Sequence, residues 1–192
     1  MTIYAVLHQE HVQLLRLLEK ARRAPPLRRP ALLKEAIDEL SAHSRAEDEV
    51  LYERLADVAA LHVATLAARE QHLVFTRILA DLAVINPNDE RCTAKITVLI
   101  DALKLHVEHE GPLFAQARQH FDEVIAENFG GEYVAAKQAA HQIPVDDRLL
   151  EALGRFGAPN PGMADEWTDD AGFKGLSEEP TANGYARFSG NF

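Results

Sequence analysis

Twice along its length the chain places a solitary histidine and then, 32 or 34 residues later, a His-x-x-x-Glu pair: His11 with His43 and Glu47, then His72 with His106 and Glu110. All six residues fall on apolar stripes spaced for a helix. On the second predicted helix the stripe runs Leu40, His43, Glu47, Val50, Leu51. A helix that buries this stripe buries an imidazole and a carboxylate one turn apart, because residues four apart share a face. A buried carboxylate without a partner is costly enough to be rare. The chain therefore has to fold so that several polar helix faces meet and satisfy one another.

Apolar periodicity predicts four long helices, over residues 2–21, 30–56, 59–84 and 92–121. Pro25, Pro26 and Pro30 mark the first turn, and Pro30 suits a helix start. The run Asn86-Pro87-Asn88-Asp89 marks the third turn. No Gly or Pro marks the boundary between the second and third helices. Short connections imply antiparallel neighbours, so the expected fold is all-α, an up-down-up-down four-helix bundle over residues 1–121. Gly111-Pro112 interrupts the fourth helix, but the apolar stripe runs on past it, so a kink is expected there and not an end.

The solitary histidines and the HxxxE pairs all fall near the middle of their helices. In an antiparallel bundle the six side chains then converge on one slab of the core. The segments "HVQLLRLL" (11–18) and "HLVFTRIL" (72–79) are similar, with Arg16 and Arg77 each five residues after the histidine. "HSRAEDEVL" (43–51) is similar to "HVEHEGPLF" (106–114). Two copies of a helical hairpin related by a pseudo-two-fold would build a symmetric two-metal site.

Beyond residue 121 the character changes. Short helices are expected near 131–141 and 145–153, making 122–153 a short helical extension. The irregular C-terminal tail, 154–192, holds seven of the ten glycines and six of the thirteen aromatic residues. Disordered tails are usually poor in aromatics. The tail either wraps on the bundle, on a second copy in a homodimer or on a partner, or stays unfolded.

The net charge of −10 argues against a nucleic-acid partner, which needs a concentrated basic surface. Arg22, Arg23, Arg28 and Arg29 bracket the prolines and read as a solvated loop. The single cysteine, Cys92, excludes an internal disulfide, a CxxC pair and an iron–sulfur cluster held by cysteines. No apolar run is long enough for a membrane span, and the first residues lack the features of a secretory signal. A cytoplasmic location is the simplest expectation.

Mixed imidazole and carboxylate ligands suit iron, manganese or zinc. Four His and two Glu are too many for one catalytic zinc. Shared between two metals they give two imidazoles each. If both carboxylates and an oxide or hydroxide bridge, one position per metal stays open. Such a site suits oxygen, peroxide or nitric oxide better than a large substrate.

The pattern His11, His43-x3-Glu47, His72, His106-x3-Glu110 resembles the hemerythrin-like, HHE cation-binding family over residues 1–121. "HSRAEDEVLYERL" and "HVEHEGPLFAQA" resemble its second- and fourth-helix signatures. The resemblance implies a non-heme di-iron centre: two Fe ions with an oxo or hydroxo bridge, served by an electron donor the sequence does not identify. The oxygen-carrying hemerythrins have five His, with a second one on the third helix; the position four after His72 is Thr76 here. Four His and two Glu look more like the bacterial subgroup and the iron–sulfur repair di-iron proteins, although the cysteine-containing N-terminal domain usual in the latter is not seen here. Reaction with a small oxidant, peroxide breakdown included, is the leading function expected. Iron storage, donation, sensing or iron–sulfur repair stays open, as does an oxygenase whose substrate pocket is formed by the tail.

Several residues flank the six. His8 and His109 are read as a seventh ligand, an outer hydrogen-bond partner or solvated edge residues. Tyr4, two turns before His11, is a further candidate for reaching the cavity. Tyr52 points away from the face of Glu47 and is set aside. Asp48, Glu49 and Glu108 are expected on a solvated face, and His62 and His120 on the surface.

Overall fold

The computed structural model describes residues 1–156. Helix α1 spans Ile3–Arg23, α2 Arg29–Glu47, α3 Glu53–Ala56, α4 His62–Val84, α5 Glu90–Ala117, α6 Glu123–Ala140 and α7 Val145–Phe156. A π-helical turn, Asp48–Tyr52, joins α2 to α3 without a break. Among the described residues there is no strand.

Local chemistry accounts for many of the ends. Pro30 sits in the first turn of α2, where its missing N–H is not needed. Asp89 and Asp122 accept hydrogen bonds from the backbone N–H groups of Arg91 and Ile125, capping α5 and α6. α1 stops at Ala24, whose extended backbone is what a residue before proline prefers.

Two apolar clusters fix how the rods run. One contains Leu7, Val50, Leu51, Ala68 and Leu113; the other contains Leu14, Leu40, Phe75 and Leu103. Along α1 and α4 the chain passes from the first cluster to the second, and along α2 and α5 it passes back. The four long helices are therefore alternately up and down. α1 packs on α2 and α5, and α4 packs on the same two, closing a ring. α6 lies against α1, α2 and the π turn, and α7 lies against α2 and α4.

The all-α bundle expected from the pattern is the fold observed. Its details differ in three places. The second rod ends at Ala56, as expected, but the unmarked boundary runs over residues 57–61, so the third rod begins three residues later than expected. α5 runs through Pro112 without ending, and stops at Ala117. α6 begins at Glu123 and not near 131, and it passes straight through Gly130 and Gly131. A Gly-Gly pair reads as a break in sequence. Here a Cβ on Gly130 would stand 2.3 Å from the carbonyl oxygen of Met1 and 3.2 Å from the nitrogen of Ile3. Glycine is needed because two backbones meet.

Residues 157–192, most of the expected tail, lie outside the described residues. Among those described, no helix is long and apolar enough to cross a membrane.

Candidate metal centre

Between the two apolar clusters lies a polar layer. His11 comes from α1, His43 and Glu47 from α2, His72 from α4, and His106 and Glu110 from α5. Each is at most 3% exposed. The structure thus brings together all six residues singled out from sequence, and brings them together away from water.

The ring nitrogens face inward. Nε2 of His11 lies 3.1 Å from Nε2 of His43. Nε2 of His43 and of His72 approach Oε2 of Glu47 at 3.3 and 3.5 Å. Nε2 of His11 and of His106 approach Oε2 of Glu110 at 3.4 and 3.5 Å. Donor atoms of His11, Glu47, His106 and Glu110 lie within 4.8 Å of one another, and so do those of His43, Glu47 and His72. Glu47 belongs to both groups and Glu110 to one.

On three of the four histidines the opposite ring nitrogen is tied down. His72 Nδ1 donates to Asp48 at 3.1 Å, and His106 Nδ1 donates to the Gln71 amide oxygen at 3.0 Å. His43 Nδ1 lies 2.7 Å from the Tyr133 hydroxyl. Fixing the proton on Nδ1 leaves the Nε2 lone pair aimed at the centre, as in metal-ligating histidines generally. The Tyr52 hydroxyl donates to Oε1 of Glu110.

What remains unpaired tests whether a cation fits. Both oxygens of Glu47, Oε2 of Glu110, and Nε2 of His72 and His106 are buried without a hydrogen-bond partner. Leaving several such acceptors dry and unpaired is expensive. These five atoms are all of metal-ligating type, belong to one layer, and include no thiolate. The residues therefore fit a pair of cations of the kind that take nitrogen and oxygen ligands.

Electrostatics divide the layer. Burial would raise Glu47, but the imidazoles of His43 and His72 outweigh it and hold the carboxyl well below its usual range. Glu110 is pushed well up by burial and by the charge of Glu47. Burial would lower His72, yet Asp48 and Glu47 raise it to about 9. Burial and His43 lower His11 to about 3, and burial and His72 push His106 well down. A bound cation replaces this internal proton sharing with direct charge neutralisation.

A family model, the hemerythrin HHE cation binding domain, matches residues 2–117. The chain belongs to the hemerythrin HHE cation-binding family. A solved hemerythrin HHE cation binding domain-containing protein from Mycobacterium kansasii is similar in fold: TM-score 0.62 at 19% identity, covering 80% of this chain and 99% of that one. No curated protein matches.

The other flanking residues sort differently. His8 and His109 are exposed, and His109 reaches the centre only through Gln71, whose amide N–H₂ donates to it at 2.9 Å. Tyr4 is buried, but its hydroxyl has no partner. His62 is on the surface, as expected. Two expectations need correction. Asp48 is not on a solvated face: it holds His72. Tyr52 does not point away: in a regular α-helix five residues carry the chain about 140° past a full turn, but the π turn, with its i→i+5 repeat, brings Tyr52 back inward. Tyr133 and Gln71 also escaped the sequence reading. Gln71 could have been noticed, since it directly precedes His72; nothing local marks Tyr133.

Proposed function

We propose that the chain is a non-heme di-iron protein that binds and reacts with a small oxidant, peroxide or oxygen before nitric oxide. The observation that carries this reading is the set of buried, unpaired ligand atoms split into two overlapping groups with Glu47 common to both. His43, Glu47 and His72 would hold one iron; His11, His106, Glu110 and Glu47 would hold the other. The bound pair would supply Lewis acidity and electron transfer. The bundle's own part is to keep the layer dry between two apolar clusters and to set the ring tautomers through Asp48, Gln71 and Tyr133. Tyr52 holds Glu110 and offers a phenolic proton directly on its carboxylate.

Iron is favoured over zinc by the number of imidazoles and by the shared carboxylate. The expected partners are a small oxidant and an electron donor; a cytoplasmic setting would suit a centre that must be re-reduced. The test is metal analysis with an absorption spectrum on protein reduced without air and then exposed to oxygen or peroxide. Two irons per chain, a near-ultraviolet band from a bridged ferric pair, and repeated peroxide turnover are expected. One zinc, or a folded bundle that takes no metal, overturns the reading.

A further inference from the structure

The ring of four helices has four clefts, and the described residues cover or span three of them over the buried centre. α6 covers the cleft between α1 and α2, with Tyr133 plugged in as far as His43. α7 covers the cleft between α2 and α4. The void left beneath it, beside His72, is about 40 Å³, far smaller than the hollows of the two remaining clefts. Among the described residues no helix covers the cleft between α4 and α5, but Gln71 spans it, bonded to His106 on one side and His109 on the other. Its hollow, about 250 Å³, touches a single ligand, Glu110.

The cleft between α1 and α5 is different. It is about 370 Å³, and two ligands, His11 and Glu110, form part of its wall. Its α5 side is bare at that level, since nothing lies within 4 Å of where a Cβ on Gly111 would stand. Ala5 keeps the α1 side low. At the rim are the exposed His8 and Arg118, the latter with its guanidinium 4.4 Å over the Tyr4 ring. Glu110 itself is the only carboxylate in the lining.

We propose that the α1–α5 cleft is the portal by which the small ligand reaches the centre, on the side of His11 and Glu110, and that it selects uncharged or singly negative molecules of the size of peroxide or azide. The inference rests on the metal centre proposed above. A gap left low by Ala5 on one side and Gly111 on the other admits such molecules, and a rim whose side chains are neutral or positive does not repel an anion.

The test compares two matched plugs in the iron-loaded full chain. Ala5→Phe stands in the α1–α5 cleft and Ala67→Phe in the α4–α5 cleft; both positions are exposed on helices, so neither disturbs the core. Azide association is followed by stopped-flow absorption, beside iron content and thermal melting. Ala5→Phe is expected to slow association about tenfold at unchanged iron content and melting temperature, Ala5→Leu to slow it less, and Ala67→Phe to leave it unchanged. If Ala5→Phe lowers iron content, Ala5→Leu decides. Equal rates in all variants, or slowing by Ala67→Phe as large as by Ala5→Phe, overturn the portal and leave the metal centre standing. A wild-type chain that takes up no iron overturns both.

Discussion

The α2 arm and the α5 arm carry the same motif and treat it differently. Glu47 and Glu110 each follow a histidine by one helical turn, and each is followed at once by a backbone irregularity. After Glu47 comes the π turn; after Glu110 come Gly111 and Pro112. The residue next to Glu47 is Asp48, which reaches across to His72. The residue next to Glu110 is Gly111, which has nothing to offer His11. The two solitary histidines, equivalent in the repeat, are consequently pushed in opposite directions, His72 up and His11 down. The paired histidines differ as well. His106 bonds Gln71, the residue preceding the solitary histidine of its own repeat. Its counterpart His43 does not use the matching Glu10, which pairs with Lys137, but takes Tyr133 from α6. The repeat places the six candidate ligands; elements outside it decide how each side chain is held.

The largest difference between the arms should appear at the carboxylates. Glu47→Gln removes a group common to both clusters, and Glu110→Gln removes one from a single cluster. Glu47→Gln is expected to abolish binding of the cation pair, and Glu110→Gln to leave one cation bound. Metal content per chain after gel filtration reads this directly. Equal loss in the two variants would break the asymmetry between the two arms.

Next in size are the outer partners. Tyr133→Phe removes the hydroxyl from His43, and Gln71→Leu removes the acceptor from His106. Losing such a partner typically costs about 10- to 100-fold in metal affinity. Chelator competition should show both variants weakened. Gly130→Ala acts on the α2 arm alone, because the added Cβ meets the backbone of Met1 and pushes α6, with Tyr133, away from His43. It is expected to cost about 1–3 kcal/mol in a denaturant titration and to reproduce part of the Tyr133→Phe loss in affinity. Gly131→Ala, where a Cβ meets nothing within 4 Å, is its control.

These contrasts also show what a sequence can and cannot say about such a site. The six buried polar residues were legible because each breaks the apolar stripe of its own helix, a signal that needs only helical periodicity. The alternating direction of the four rods was legible from short connections. Asp48 was misjudged because its charge fits a solvated face, and only the approach of α4 gives it a partner. Tyr52 was missed because the π turn after Glu47 changes the residue count per turn, and no Gly or Pro announces it. Tyr133 depends on where α6 docks, and that docking depends on a glycine whose role is a close backbone approach. Outer partners come from tertiary packing, which one helix's pattern does not encode.

The smallest expected effect is on pH dependence, and it separates the arms by sign. In the metal-free protein His72 binds its proton more tightly than in the unfolded chain, with a value raised to about 9 by Asp48 and Glu47 against burial. The stability this contributes is fully present below about pH 6.5, the ordinary histidine value, and is lost as pH rises toward 9. Glu110, also raised, acts in the same direction. His11 and His106 are lowered, so the unfolded chain takes up their protons first and stability falls as pH drops below about 6.5. The metal-free protein should therefore melt highest near neutral pH and lower on either side. Asp48→Asn removes a main cause of the His72 shift and should flatten the alkaline limb while leaving the acid limb in place. Cation uptake must displace the same His72 proton, so apparent affinity should rise between pH 6.5 and 9, by up to about tenfold per pH unit for one proton released. That rise should be smaller in Asp48→Asn. Melting curves and chelator competition across this range measure both. An alkaline limb unchanged by Asp48→Asn would mean that the solitary histidines do not differ in the way their neighbours imply.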